Sequence, residues 1–291
     1  FARRLRAAAN ALGLDEAVTY PIINSARVRE LRPGVDPVIL ANPLSSEMDT
    51  LRPTLLTGLM EAGARNLAGG HAGVALFEYG RIFESIEGRA AERPALGVLL
   101  AGARTDGAPW EKGVQGAACD DYDLKGNVDG LLKTTGAGEI VRDEAAAAAF
   151  LELEPGRGFA LRDGNRVVGF AGRVAARVSR AWKVAAPVFY AEMDGAWLRS
   201  RDGKEVRYRP WTPYPAVHRD VALTVPTRMR HQTLESKLIE LARRHAEPKK
   251  VLLEQIRLFD IFQSEKLGAS HKSLAYAMTY RSLEKTLTDA E

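Results

Sequence analysis

The apolar and polar positions over residues 217–280 predict one strand, one helix and then two further strands. Residues 221–225 form a β-rich run, and apolar residues three and four positions apart over 234–245 predict an amphipathic helix. Period-two alternation then predicts two strands, each with one set of residues on a shared face: Ile256, Leu258, Asp260 and Phe262, followed by Leu274, Tyr276, Met278 and Tyr280. This βαββ order is typical of a ferredoxin-like βαββαβ unit.

The sequence stops where a further helix should begin. Residues 288–291 read Thr-Asp-Ala-Glu, which is the side-chain pattern of a capping box at a helix N-terminus. Because no helical sequence follows, we expect the last helix and strand of the ferredoxin-like unit to be missing. The chain begins with Phe1 and has no apolar signal core, so we expect a fragment of a longer protein.

Residues 1–200 show a mixed α/β pattern. Helices are predicted over residues 5–12, 54–67 and 123–133, and strands over 17–20, 74–83, 96–101, 166–171 and 189–193, the last of which closes the sheet. Gly80 interrupts the second strand, which indicates either a bulge or a close backbone approach. A polar, turn-rich stretch near residue 200 and the nearby prolines predict a linker over 201–210, between domains at 1–200 and 211–291.

Composition is that of an ordinary globular protein, with 46% hydrophobic and 27% charged residues. No apolar run reaches the length of about 18 residues that a membrane span needs, so no membrane partner is expected. The single cysteine, Cys119, cannot form an internal disulfide, which favours a reducing compartment and a cytoplasmic location. It is expected to be a small, buried or half-buried side chain.

Basic charge is concentrated in the ferredoxin-like part. Residues 201–291 contain 17 Lys and Arg against 12 Asp and Glu, whereas residues 1–200 contain 24 against 25. Such a surplus suits a nucleic-acid partner. A solvated surface alone also explains a surplus of this size, so charge does not decide between the two.

Four segments of the last domain, taken in order, resemble the ferredoxin-fold anticodon-binding domain of bacterial phenylalanyl-tRNA synthetase β subunits. They are Tyr-Pro-Ala-Val-His-Arg-Asp-Val-Ala-Leu (214–223), Leu-Phe-Asp-Ile-Phe (258–262), Lys-Ser-Leu-Ala-Tyr (272–276) and Thr-Leu-Thr-Asp (286–289). The first domain resembles the catalytically silent, class II synthetase-like module of the same family, through residues 42–48, 51–56, 76–83, 122–126, 155–157 and 169–172. The resemblance implies an α+β fold, with a class II-like antiparallel sheet followed by a truncated ferredoxin-like domain.

The resemblance also implies partners and cofactors. In the family, the whole enzyme joins phenylalanine to its tRNA with ATP and Mg²⁺, works as an (αβ)₂ heterotetramer, and uses the α subunit for the chemistry. This fragment alone is then expected to be inactive and to hold no cofactor. Two other classes stay open: a stand-alone scaffold or regulatory RNA-binding protein, and an active single-chain class II synthetase.

The sequence contains only weak matches to the motifs of a catalytic site. Adenylation needs an Arg on the α-phosphate and carboxylates for Mg²⁺. Arg81 precedes an acid by three residues where the second class II motif has two, and the Gly-rich segment 156–162 is a common chance pattern. No nucleophile is placed near a histidine, and one cysteine with five dispersed histidines does not make a zinc site. We therefore predict no catalytic and no metal-binding residue in this chain.

An open sheet face is the expected RNA-binding surface, because such faces stack unpaired bases and bind phosphates through Arg or Lys. The large residues of the last strand should pack inward, which leaves the small side, Ser273, Ala275, Ala277 and Thr279, open. The candidate contact residues are Arg219, Asp220, Phe259, Asp260, Lys272, Ser273 and Arg281. An internal salt bridge remains an alternative for Arg219 and Asp220, and a core position remains one for Phe259.

Overall fold

The computed structural model describes residues 1–104, 117–137, 140–202, 212–246, 248, 250–264, 267–268 and 270–287. The predicted capping box at 288–291 and most of the predicted linker at 201–210 lie outside these residues. The chain forms two compact units, Phe1–Glu205 and Val206–Glu291.

The first unit is built around a seven-stranded sheet of order β1-β5-β6-β10-β9-β8-β7, in which only β1 and β5 pair in parallel. Its elements are α1 (Ala2–Ala11), β1 (Asp15–Glu16), β2 (Ile22–Ile23), α2 (Ser25–Leu31), β3 (Val38–Ile39), β4 (Thr50–Leu51), α3 (Leu56–Ala68), β5 (Gly73–Ile86), β6 (Arg89–Gly102), α4 (Asp121–Thr134), β7 (Val141–Asp143), a 3₁₀ turn (Ala146–Ala149), β8 (Leu153–Asp163), β9 (Arg166–Val174), α5 (Ala176–Ala181), β10 (Val188–Asp194) and α6 (Gly195–Arg201). Strands β2, β4 and β3 form a small separate sheet.

Helices cover both faces of the large sheet, so its central strands are apolar on both sides. Along β6, Leu96, Val98 and Leu100 join a core that includes residues of α1, α4 and α6. The alternate residues Leu99 and Ala101 join a second core with residues of α2, α3 and α5. This two-sided burial explains why residues 96–101 form a continuous apolar run.

Two expectations for the first unit were wrong, and a third had left two alternatives open. Residues 17–20 are not a strand: β1 lies two residues earlier, and Thr19 instead bonds to Glu78. The pairing of β5 with β6 continues through Gly80, so it carries no bulge. The close approach is found instead, because a Cβ on Gly80 would lie 2.6 Å from the Arg52 side chain. Strand β10 lies between β6 and β9 and not at an edge of the sheet.

The second unit contains β11 (Val217–Pro226), α7 (His231–Ala246), β12 (Val251–Phe262) and β13 (His271–Ser282). They form an antiparallel sheet of order β11-β13-β12, which agrees with the predicted βαββ pattern. Leu274 and Tyr276 are fully buried, and Leu234 and Leu238 of α7 pack against the same cluster. The large residues of β13 therefore face α7, as predicted, and the small residues lie on the other face.

Strand β12 departs from the predicted alternation because it contains two irregularities. One lies between Leu253 and Gln255, and the other between Leu258 and Asp260. At the second, Phe259 is the extra residue, since Leu258 pairs with Tyr276 and Asp260 pairs with Ala275. An extra residue moves every following side chain to the opposite face. Asp260 and Phe262 therefore do not share a face with Ile256 and Leu258.

Candidate nucleic-acid interface

The face of the second unit that points away from α7 is a shallow surface, which we call the open face. Directly opposite residues of antiparallel strands point to the same side, so the register defines four rows across β11, β13 and β12. They are His218–Thr279–Gln255, Asp220–Ala277–Arg257, Ala222–Ala275–Asp260 and Thr224–Ser273–Phe262. Small residues thus form the centre of this face, and apart from Ala222 its two sides consist of polar, charged or aromatic residues.

Its floor allows an incoming planar group to approach the backbone. Ala275 and Ala277 carry only methyl groups, and both are partly accessible to solvent. The row nearest the start of β11 is tied together, because His218 Nδ1 lies 3.2 Å from Thr279 Oγ1. Phe262 lies at the opposite end of the face, and 53% of its surface is exposed. An exposed aromatic ring beside a floor of small residues is the arrangement that base stacking uses.

The structure brings three of the predicted residues together on the open face. Asp220, Asp260 and Ser273 occupy rows two, three and four. Arg219 and Lys272 lie at alternate positions, opposite Met278 and Val225 on the side that faces α7. Phe259 is the extra residue of the bulge and is 50% exposed, so the core alternative for it is wrong.

Arg281 is engaged within the protein. Its Nε lies 2.7 Å from Glu254 Oε1, and its Nη1 donates a 2.6 Å hydrogen bond to the carbonyl oxygen of Tyr214. These contacts join the first irregularity of β12 to the segment that leads into β11. Arg281 therefore supports the sheet at the end of the open face that lies farthest from Phe262.

Among the open-face residues that were missing from the predicted set, Arg257 and Phe262 supply a cation and an exposed aromatic ring. Arg257 lies opposite Ala277, and the alternation of β12 with Leu258 on the inner side was a signal that could have identified it. Phe262 had no such signal, because uninterrupted alternation placed it with the core residues Ile256 and Leu258. Only the extra residue Phe259 turns it outward.

The first unit contains a buried polar cluster around Arg52. Arg52 is only 3% exposed. Its guanidinium donates to Glu78 Oε1 at 2.8 Å, to Thr19 Oγ1 at 2.7 Å and to the Arg81 carbonyl oxygen at 2.9 Å. The hydrogen bonds of the Arg52 guanidinium thus go to other groups of the protein. They hold Thr19 against β5.

A second buried group surrounds the Glu192 carboxylate. Its Oε2 accepts hydrogen bonds from Thr54 Oγ1 at 2.7 Å, from the Leu55 backbone amide at 2.9 Å and from the Tyr190 hydroxyl at 2.6 Å. Burial raises the pKa of Tyr190 well above its ordinary value, and the neighbouring Glu192 charge raises that pKa further. Glu192 therefore joins β10 to the start of α3.

These contacts do not fit a site for ATP and Mg²⁺. Arg52 and Glu78 form an ion pair, the Glu192 carboxylate accepts three hydrogen bonds, and no group of three or more His, Cys, Asp or Glu within the described residues could hold a metal ion. The two sequence candidates are also paired, because Arg81 lies 3.2 Å from Glu92 on the sheet surface and Arg162 forms an ion pair with Asp143. Cys119 is buried, and burial raises the pKa of its thiol, so it does not resemble an activated nucleophile.

Among the described residues, no helix is both long enough and apolar enough to span a membrane.

Two family models match this chain. The one described as "Phenylalanyl tRNA synthetase beta chain CLM domain" matches residues 1–195, and the one described as "Ferredoxin-fold anticodon binding domain" matches residues 212–291. A crystal structure of pyrrolysyl-tRNA synthetase from Desulfitobacterium hafniense has a TM-score of 0.49 at 15% identity, covering 68% of this chain and 66% of that one. A likeness of that size adds nothing to the family assignment.

Curated relatives are phenylalanine–tRNA ligase β subunits. The protein from Synechocystis sp. is 31% identical over 296 residues, covering 99% of this chain and 34% of the relative. The Moorella thermoacetica protein is 32% identical over 292 residues, with coverages of 98% and 35%. The Thermotoga maritima protein is 29% identical over 294 residues, with coverages of 100% and 35%. The chain thus spans about a third of the length of the relatives it matches. With a matched β-chain domain over residues 1–195 and an anticodon-binding domain behind it, this chain belongs to the phenylalanyl-tRNA synthetase β-chain family.

Proposed function

We propose that this chain is a non-catalytic part of a phenylalanine–tRNA ligase β subunit, which binds the tRNA anticodon loop on the open face of its second unit. The observation that carries the proposal is the face itself: a floor of small residues, flanked by Arg257 on one row and ending at the exposed ring of Phe262. The names of the relatives and the anticodon-binding domain match support the same conclusion. They do not favour a stand-alone scaffold.

Each unit has its own part in this proposal. Residues 1–200 act as a catalytically silent module that assembles with an α subunit, residues 201–210 link the two parts, and residues 211–291 bind tRNA. In the whole enzyme, an (αβ)₂ tetramer of the cytoplasm, the α subunit performs the ATP- and Mg²⁺-dependent charging. The ion pair of Arg52 with Glu78 and the hydrogen bond from Thr54 to Glu192 support a silent role for this module.

Recognition on the open face follows from the chemistry of its rows. An unpaired base stacks on Phe262 with its edge toward the Asp260 carboxylate, and a neighbouring base lies over Ala275 and Ala277 with its edge toward Asp220. Arg257 neutralises a phosphate of the same strand. Stacking of one base contributes about 1–3 kcal/mol of affinity whichever base it is, so discrimination between anticodons comes from the hydrogen bonds that base edges make to the polar side chains of the open face. Of the predicted residues, Asp220, Asp260 and Ser273 act directly in this arrangement.

The test is a titration of the full chain with the phenylalanine anticodon stem-loop and with a copy that carries a changed anticodon, at two salt concentrations. We expect tighter binding of the cognate loop at both. Phe262→Ala should weaken cognate binding by about 1–3 kcal/mol, which is roughly 5- to 150-fold. Ile261→Ala is the matched control, because Ile261 is equally exposed at 58% but lies opposite Leu274 on the other side of the same strand.

Equal binding of both loops by the wild-type chain would contradict anticodon recognition. Equal losses for the Phe262 and Ile261 variants would contradict the assignment of the open face. Assembly is tested separately, by co-purification of the chain with an α subunit of the same enzyme class.

A further inference from the structure

The first row of the open face, His218–Thr279–Gln255, takes no part in the arrangement of bases proposed above. It lies beside row two, on the side away from Phe262. His218 is exposed, and its Nδ1 lies 3.2 Å from Thr279 Oγ1. This contact runs from the edge strand β11 to the central strand β13. It therefore turns the imidazole ring toward the floor of the open face.

The contact with Thr279 uses Nδ1, so a ligand would meet the ring through Nε2. In a protonated imidazole both ring nitrogens donate hydrogen bonds. The hydroxyl oxygen of Thr279 then accepts from Nδ1–H, and Nε2–H faces a ligand. A group bound there must be an acceptor, and the strongest hydrogen bonds of a cationic donor go to an anionic oxygen such as that of a phosphate.

Charged side chains from all three strands surround this row. They are Arg219 and Asp220 of β11, Glu254 and Arg257 of β12, and Arg281 of β13. Arg219 Nη1 donates a 3.2 Å hydrogen bond to the His218 carbonyl oxygen, and Arg281 is paired with Glu254. Asp220 favours a protonated His218, whereas Arg257 opposes it. A protonated His218 would place a second cation on the edge of the open face opposite to Arg257.

We propose that His218 binds a backbone phosphate of the RNA through Nε2 when its imidazole is protonated, so that the open face binds RNA more tightly as the pH falls. The inference rests on the proposed function of the open face, and it adds a contact that depends on pH. Histidine is the side chain whose charge ordinarily changes between about pH 5 and 8. Phosphate contacts position a nucleic acid without reading its sequence. The contact should therefore strengthen the binding of any anticodon loop.

The test measures the affinity of the full chain for the cognate and the changed anticodon stem-loops over a series of salt concentrations. It is made at a pH of about 8 and again at a pH of about 5.5, so that histidine changes its charge between the two. For the wild-type chain, both loops should bind more tightly at the lower pH, by the same factor. The slope of log affinity against log salt should also be steeper there by about 0.7, the value for one single-strand phosphate contact.

The variant His218→Gln keeps a polar side chain but cannot take up a proton. It should lose both differences between the two pH values. Its preference for the cognate loop should remain, because that preference comes from other residues of the open face.

Two further histidines of the second unit provide matched controls. His245 is exposed on α7, and His271 is exposed at the end of the open face opposite to row one. His245→Gln and His271→Gln should each retain the steeper salt slope at the lower pH.

The outcomes separate this inference from the proposed function. If the wild-type chain prefers the cognate loop but its salt slope is equal at both pH values, the His218 contact is overturned and the open face stands. The contact is also overturned if His218→Gln keeps the difference in slope, or if a control variant loses as much of it. A gain at low pH for the cognate loop alone would replace the phosphate by a base.

Equal binding of both loops contradicts anticodon recognition by itself. A pH-dependent slope that His218→Gln removes would, in that case, still support a phosphate contact at row one. If the wild-type chain binds neither loop at either pH, both proposals fail.

Discussion

The side chain of Arg52 connects three separate parts of the first unit. Its guanidinium bonds to Thr19, Glu78 and the carbonyl oxygen of Arg81, all inside the protein. A buried charge pair of this kind is weak evidence for net stability, because desolvation offsets the attraction. Removal of one partner is a different matter, since it leaves the other charge buried and unpaired.

We therefore expect Arg52→Ala to destabilise the first unit by about 3–5 kcal/mol. Arg81→Ala is the control, because its pair with Glu92 is more than half exposed and such pairs are worth about 1 kcal/mol or less. Chemical denaturation followed through the first unit measures both. Similar losses of unfolding free energy in the two variants would show that the buried contacts of Arg52 stabilise the unit no more than the exposed pair of Arg81 with Glu92 does.

Tyr190 should make the first unit less stable at alkaline pH. Its pKa is raised in the folded protein, first by burial and then by Glu192. Below the ordinary tyrosine pKa of about 10 its hydroxyl is protonated in both states. Above it the unfolded chain loses this proton while the folded chain retains it, so the free energy of unfolding falls as pH rises.

Tyr190→Phe should remove this part of the pH dependence. The variant loses a hydrogen bond to Glu192, so it should be less stable than the wild type near pH 7. Its unfolding free energy should then fall less steeply than that of the wild type above a pH of about 10. Urea denaturation at a series of alkaline pH values measures the two slopes. Parallel curves would show that Tyr190 is not the titrating group.

At the scale of elements, the bulge in β12 determines which side chains the sheet presents. Before Phe259 the strand places Ile256 and Leu258 on the side of α7. After it, the outward residues are Asp260 and Phe262, and Ile261 lies opposite the buried Leu274. A single extra residue thus gives one edge strand both a core segment and a segment whose Asp260 and Phe262 face outward.

Deletion of Phe259 should return the strand to simple alternation. Asp260 would then lie toward α7 and Phe262 would leave the open face, because a one-residue shift reverses every side chain beyond it. We expect the preference for the cognate anticodon loop to disappear, together with a loss of stability in the second unit. Phe259→Ala keeps the register and should retain most of the preference. Retention of the preference in the deletion variant would contradict the role of the bulge.

At the scale of the whole molecule, the two units differ in charge and in what their polar residues do. In the first unit, the buried Arg52, Glu78 and Glu192 are engaged by other parts of the protein. In the second, Asp220 and Arg257 lie in one row of an accessible face, and Asp260 lies in the next row. This division suits a chain that contributes structure through one unit and binding through the other.

The purified chain alone should therefore catalyse no phenylalanine-dependent exchange between ATP and pyrophosphate. The reason is that Arg52 and its carboxylate partner neutralise each other instead of facing a ligand. Addition of an α subunit supplies the comparison, since exchange that appears only in the mixture belongs to the partner. Exchange by this chain alone would contradict a silent first unit.

Local sequence by itself determined the βαββ order of the second unit and the side of β13 that packs against α7. Those features are encoded in the alternation of large and small residues within one strand, and no distant partner is needed to express them. It also indicated either a bulge or a close approach at Gly80, and the structure chose the close approach.

Only the tertiary structure decided which residues meet on the open face and what fills the centre of the first unit. The outward position of Phe262 depends on how β12 pairs with β13, and a bulge is a property of that pairing. The clamp around Arg52 joins residues 19, 78 and 81, which come together only when the loop before β2 folds against β5. Periodicity describes the faces of single elements, whereas these two sites arise from contacts between elements.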